Sequence, residues 1–503
     1  MEKYNKLFVL FLVLIPFVVN PSVIYPQQQT QTTTTTDQQS LSKDEVPITT
    51  TSSQARDKYL EGLKYADNIQ FEKAKALFQD AINADPNFAL GYVGLATTSG
   101  SYSTSKQYFD KAESLMDKVS EGEKHLISFY KAQFEGNTSK VKDEVQKLLS
   151  MFPKDKRVEL IAGTFEQFSN RNFDAAIQHY QKVVEIDPNF APVYNVMGYT
   201  YSDKNDFNKA EEAFKKYISL LPDSPNPYDS YAELLLKNGR YDASIEQYQK
   251  AIDIDPVFVS ALEGIGNNYL FKGDYAKARE YYQTAFDKSP SLNWKYASLY
   301  NEAVSFVREG NITNALNALD KRISLAENDN SIPTVVGTHN MEGFILAENG
   351  KPDEAMKHFD MASEKIESSN LPDNLKDNLM SDVKLNKLYG MVTANKLDAA
   401  SNELQSKDQV LGSANTPQND KKYEAIMGLL SLKQNKFDDA LSHFDKADNE
   451  DPMTWYYQAM AYQKKGDTQK ATQLIDKIKQ SNQNSVELAV ANNHAKEIVA
   501  QTK

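Results

Sequence analysis

APVYNVMGYTYSDKNDFNKAEEAFKKYISLLPDS, residues Ala191–Ser224, is the stretch that decides the fold. Small and aromatic residues recur every three or four positions on both sides of the polar word Lys204-Asn205-Asp206. Tyr194, Met197, Gly198 and Tyr201 come before it, and Phe207, Ala210 and Phe214 after it. That spacing puts an apolar stripe on each of two helices joined by a tight turn. Pro222 has no amide hydrogen to continue a helix, so it closes the second one.

The unit repeats. Pro188, Pro222, Pro256 and Pro290 are each 34 residues apart. Twelve residues before them stand Ala176, Ala210, Ser244 and Ala278, and eight before them Tyr180, Phe214, Tyr248 and Tyr282. Small residues at Gly198, Ala232 and Gly266 fall where two helices must approach closely. Gly239 and Gly273 suit a helix end with positive φ. The frame extends upstream to 55–88 (Gly62, Tyr65, Phe71, Ala74, Phe78, Ala81) and, through degenerate units, to 157–190. Downstream it continues at 296–329 with the phase shifted by three, at 336–369, weakly at 381–410, at 421–454, and in a last unit from Pro452. Residues 485–502 read as one more amphipathic helix, which would cap the apolar end of the array.

A 34-residue helical hairpin with small residues, aromatics and a closing proline at these places resembles the tetratricopeptide-repeat (TPR) family. The resemblance covers residues 55–502. It implies an all-α, right-handed solenoid of helical hairpins that acts as a non-enzymatic scaffold and takes a peptide or partner helix in a groove lined by the first helix of each unit. On this sequence the exposed groove positions are Phe165 and Phe168; Asn195, Tyr199 and Ser202; Asn226, Asp229 and Glu233; Glu263 and Asn267. Members that bind chaperone C-termini use a cationic clamp for a carboxylate. Here Asp229, Glu233 and Glu263 stand at the matching places and would repel one. A protein or peptide partner of neutral or basic character follows.

Composition agrees with a binding protein rather than a nucleic-acid reader. The net charge is −13, whereas phosphate affinity needs a basic surface. There is no cysteine, which excludes disulfides and thiolate metal sites. Lys3 and Lys6 precede an apolar run, Leu7–Val19, in the manner of a secretory signal. The run is short for a span of about 20 residues, and no small-x-small cleavage site follows. A cleaved signal and an uncleaved anchor within 1–25 both remain open, and both place the rest outside the cytoplasmic membrane. Residues 26–54, rich in Gln, Thr and Ser, read as a disordered linker.

The search for chemistry returns none. His125, His179, His339, His358, His443 and His494 are scattered. His179, His358 and His443 share one repeat position, so no metal site is expected. Gly264-Ile265-Gly266 falls inside a repeat helix and reads as packing. Asp445–Asp451 lacks the glycine and terminal glutamate of a calcium loop. No cofactor is implied and no room is left for a fused enzyme. The expected order is a signal or anchor (1–25), a linker (26–54), a front array (55–325, most regular over 157–292), a rear array (326–484, with irregular loops near 330 and 410) and a capping helix with tail (485–503). The alternative reading is an accessory subunit that presents substrate to a separate glycosyltransferase or peptidase.

Overall fold

The computed structural model describes residues 44–289, 291–412 and 416–501. The signal or anchor at 1–25, the linker up to residue 43, and Pro290 lie outside them. All regular structure among the described residues is helical, and none of these helices is long and apolar enough to cross a membrane.

The helices follow in antiparallel pairs: α1 (Ser53–Ala66) with α2 (Phe71–Ala84), α3 (Ala89–Thr98) with α4 (Tyr102–Glu113), and α5 (Glu121–Phe134) with α6 (Thr138–Met151). Next come α7 (Lys156–Phe165) with α8 (Phe173–Ile186), α9 (Ala191–Asp203) with α10 (Phe207–Leu220), and α11 (Pro225–Lys237) with α12 (Tyr241–Ile254). The pairs continue as α13 (Val259–Phe271) with α14 (Tyr275–Lys288), α15 (Leu292–Glu309) with α16 (Ile312–Asn328), and α17 (Ile332–Glu348) with α18 (Pro352–Glu367). Then α19 (Asp373–Thr393) meets the short α20 (Leu397–Glu403) and α21 (Lys407–Leu411). The chain ends with α22 (Pro417–Lys433) and α23 (Phe437–Phe444), α24 (Pro452–Lys465) and α25 (Thr468–Gln480), and α26 (Val486–Gln501). They form two compact units. Unit 1 holds the described residues up to Leu235, Asp242–Ala261 and Lys288–Trp294. Unit 2 holds Leu236–Tyr241, Leu262–Asp287 and the described residues from Lys295 onward.

Several hairpins are locked by a glycine against a ring. A Cβ added at Gly163 would stand 2.3 Å from the Tyr180 ring, at Gly198 2.6 Å from Phe214, at Gly266 2.4 Å from Tyr282, at Gly343 2.3 Å from Phe359 and at Gly428 2.5 Å from Phe444. Those five rings are almost fully buried. The glycine on the first helix thus lets the second helix lay an aromatic directly on the backbone, which is why the small and large positions repeat together. Gly264-Ile265-Gly266 is part of α13 and serves this packing. The turns obey the same economy: Gly239 and Gly273 have φ of 69° and 82°, and Asn205, Asn395 and Asn435 take the left-handed place in other hairpins. Asp206 then caps α10 by accepting from the Lys209 amide. Asn137 and Asn311 are caps of the same kind for α6 and α16.

Two features lie beyond the repeat. In unit 1 the turn of the first hairpin is bonded to later hairpins. Arg157 forks onto Asp67 at 2.9 and 2.7 Å, and the Tyr217 hydroxyl donates to Asn68 Oδ1 at 3.2 Å. In unit 2, α26 does more than cover the end of α24 and α25. Asn493 donates to the Val307 carbonyl of α15, and His494 pairs with Glu348 of α17 at 2.9 Å. Glu348 also accepts from the hydroxyls of Tyr389 and Tyr457 at 2.5 and 2.9 Å, so one buried carboxylate gathers α17, α19, α24 and α26.

Candidate partner-binding surface

The first helices carry the seven candidate groove residues, and none of the seven is exposed. Phe165, Asn195, Asp229 and Glu263 are buried; Tyr199, Glu233 and Asn267 are half-buried. The expectation of an exposed face is therefore not met. Adjacent first helices lie close enough for Tyr199, Asp229 and Glu263 each to find a partner on the following first helix.

In unit 1 the Tyr199 hydroxyl donates to Glu233 Oε2 at 2.8 Å, linking α9 to α11. The Tyr199 ring meets Phe214 edge-on at 5.2 Å. Ser260 donates to Asp229 Oδ2 at 3.0 Å. The other oxygen of Asp229, Oδ1, and the side-chain oxygen of Asn195 are buried without a hydrogen-bond partner. Burial, with the Glu233 charge added, pushes the Asp229 carboxyl up to about 8. Phe165 closes the end of α7 against the cluster of Phe129, Val141 and Val158.

Unit 1 also holds an extended segment of its own chain. The Val46 amide donates to Asp155 Oδ2 at 2.8 Å, the Thr49 amide and hydroxyl to Glu123 at 2.7 and 2.5 Å, and the Thr50 hydroxyl and Thr51 amide to Asp85 at 2.6 and 3.0 Å. Where a free linker is expected, residues 46–51 thus run along a row of carboxylates drawn from successive hairpins.

In unit 2, Glu263 accepts from the Ser298 hydroxyl and from Asn301 Nδ2, the latter at 2.6 Å. Burial pushes its carboxyl up to about 7 against the pull of those two donors. Asn267 Oδ1 accepts from the Tyr282 hydroxyl at 2.8 Å and from Asn484 Nδ2 at 2.7 Å; Asn484 Nδ2 also reaches Asn301 Oδ1 at 2.8 Å. The connector before α26 supplies these contacts. Asn482 is bonded to the Tyr241 hydroxyl and the Leu236 carbonyl, and Arg308 donates to the Gln483 carbonyl at 3.1 Å. Asn267 therefore meets this chain's own connector.

Sequence reasoning passed over Asp85, Glu123, Asp155, Asn482 and Asn484, none of which has a repeat position in common. Asn301 was within reach, since it stands 34 residues after Asn267. The shared place of His179, His358 and His443 has a plain use. His179 Nδ1 meets Glu159 at 2.6 Å, His358 Nδ1 meets Glu342 at 2.8 Å, and His443 Nδ1 meets Glu424 at 2.7 Å, each on the preceding helix. Asp451, from the acidic stretch, caps α24 by accepting from the Met453 and Thr454 amides.

Family models agree with this geometry. Models described as tetratricopeptide repeats match residues 167–190, 179–212, 263–330 and 454–485, and one described as a TPR repeat matches 232–270. The chain is a tetratricopeptide-repeat protein. The repeats mark it as a protein-interaction scaffold. Similar solved structures include MamA, at 25% identity over 33% of this chain and 95% of that one, with a TM-score of 0.27. Another is the Cut9–Hcn1 hetero-tetramer of the APC/C, at 16% identity over 84% of this chain and 76% of that one, with a TM-score of 0.38. A third is YrrB, titled a TPR protein with an unusual peptide-binding site, at 20% identity over 36% and 91%, with a TM-score of 0.25. No curated protein matches the chain.

Proposed function

We propose that this scaffold works outside the cytoplasmic membrane, secreted or anchored through residues 1–25, and holds a protein segment of basic or neutral character on the first-helix face of unit 1. The observation that carries the reading is the acidic seat at Asp229. One of its carboxylate oxygens is bonded and the other has no hydrogen-bond partner, as is true of the side-chain oxygen of Asn195 at the matching place on α9. A buried carboxylate held above the physiological range gains most from an arriving ammonium or guanidinium, because that cation restores its ionisation. The row of Asp85, Glu123 and Asp155 supports the same reading, since it already grips an extended segment by its amides and hydroxyls. We read the chemistry of this face as that of a docking surface.

The test is a crosslinked capture from the native cell surface with the full chain, wild type beside Asp229→Asn. The wild type is expected to retain a partner whose contact segment carries Lys or Arg. The near-isosteric variant is expected to lose it at least about tenfold. Identical captures by the two proteins would move the binding surface elsewhere on the molecule.

A further inference from the structure

We propose that His339, Glu342 and His358 of unit 2 form a binding site for one divalent transition-metal ion of the zinc type. The α17/α18 hairpin departs from the repeat. In the α7/α8 hairpin a histidine stands just before the locking ring (His179, Tyr180), and its partner Glu159 stands four residues before the locking Gly163. The α22/α23 hairpin is the same, with His443 before Phe444 and Glu424 four before Gly428. The α17/α18 hairpin keeps His358 before Phe359. Four residues before Gly343, however, it has His339 in place of glutamate, and the carboxylate has moved to Glu342. One hairpin therefore brings a second imidazole into a place that its equivalents give to a simple ion pair.

The three donor atoms form a small triangle. His339 Nδ1 is 3.1 Å and His358 Nδ1 is 2.8 Å from Glu342 Oε2, and the two nitrogens are 3.5 Å apart. A tetrahedral ion with bonds of about 2.0–2.1 Å has its ligand atoms about 3.4 Å from one another. The triangle is close to one face of that tetrahedron before an ion draws it to size. Hydrogen bonding alone accounts for it poorly. Both rings crowd one oxygen of Glu342 and turn nitrogen toward nitrogen, while the other oxygen, Oε1, is left without a partner on a side chain only 1% exposed. A bare, buried carboxylate oxygen is costly, and an ion on the same carboxylate relieves it. Two imidazoles and one carboxylate suit zinc, cobalt or nickel over magnesium or calcium, with solvent free to complete the coordination.

The full chain, stripped with a chelator and desalted, is titrated with Zn²⁺ against a chromogenic competitor and with Co²⁺ in the visible range. One equivalent of zinc should bind, and cobalt should give the intense band of a four-coordinate nitrogen–oxygen site. His339→Gln and His358→Gln should each weaken zinc at least about 100-fold. His179→Gln and His443→Gln, which break ordinary pairs, should leave it unchanged. Zinc should also raise the melting temperature of the wild type but not of His358→Gln. If either site variant fails to fold, the cobalt spectrum and the zinc-dependent melting shift of the wild-type chain decide alone. Absence of stoichiometric uptake, a weak six-coordinate cobalt spectrum, or uptake that survives His339→Gln would overturn the proposal.

Discussion

Two glycines on one helix should answer opposite ways to the same substitution. Gly343 and Gly337 both lie inside α17. A methyl group at Gly343 would stand 2.3 Å from Phe359 Cε1, 2.6 Å from Cζ and 2.7 Å from Cδ1. The ring cannot step aside, because it is fully buried and its far edge is already close to Gly390 of α19. Overpacking of this kind costs about 1–3 kcal/mol, and a boxed ring argues for the upper end. Against that, alanine is better than glycine in a helix by about 0.8–1 kcal/mol. The net expectation for Gly343→Ala is a loss of about 2 kcal/mol. At Gly337 nothing lies within 4 Å of the added carbon, so only the helix preference acts, and Gly337→Ala should gain about 0.5–1 kcal/mol. Urea unfolding of the full chain followed by circular dichroism gives the sign. Native-state hydrogen exchange over 332–367 gives the size locally, since stacked repeats need not unfold in one step. Adding Phe359→Leu to Gly343→Ala should recover at least about 1 kcal/mol through the coupling of the two positions. Equal signs for the two alanine variants, or no coupling with Phe359, would refute the glycine–ring lock.

Asp229 makes stability fall with pH. The native carboxyl is held at about 8, well above its value of about 3.9 in an unfolded chain. The native state therefore keeps a proton that the unfolded state has shed. The benefit is complete below about pH 4 and is lost as pH rises through 8, at no more than about 1.4 kcal/mol per pH unit. Asp229→Asn should flatten that slope in urea titrations between pH 5 and 9; an unchanged slope would place the proton elsewhere. Arg157→Met removes the fork onto Asp67, whose partners are 36% and 17% exposed, so a loss of about 1–2 kcal/mol is expected, read as faster exchange of the turn amides at 67–70. Asn484→Ala removes the bonds to Asn267 and Asn301 and should cost about 1–2 kcal/mol, with exchange quickening at 482–486 while 191–220 stays protected.

The hairpins were legible because a single physical constraint writes them. A small residue, most often glycine, must let the second helix approach, and the residues that meet this demand recur at about 34. The phase shift at 296–329 has a structural cause: α15, α16 and α17 run to 18, 17 and 17 residues, where α9 and α10 have 13 and 14. A longer hairpin keeps the packing rule and breaks the count, although Asn301 still stands 34 residues after Asn267. Contacts between the arrays and non-repeating segments left no periodic trace. Thr49 on Glu123 spans 74 residues and Asn484 on Asn267 spans 217, and neither partner is marked by its neighbours in sequence. The burial of Asn195, Asp229 and Glu263 was hidden for a related reason. Polar residues at first-helix positions look solvated until the next hairpin supplies Ser260, Ser298 or Asn301. His339 was visible as a histidine, but its meaning came from standing where Glu159 and Glu424 stand.

Photocrosslinking from position 199 tests the central claim most directly. A benzophenone amino acid replaces Tyr199 in the full chain, in its native setting, and a second protein carries it at Lys250, an exposed position on the second helix α12. An adduct is expected from 199 whose crosslinked peptide carries Lys or Arg beside the attachment point, and none of that partner from 250. The same partner attached from 250 and absent from 199 would contradict it.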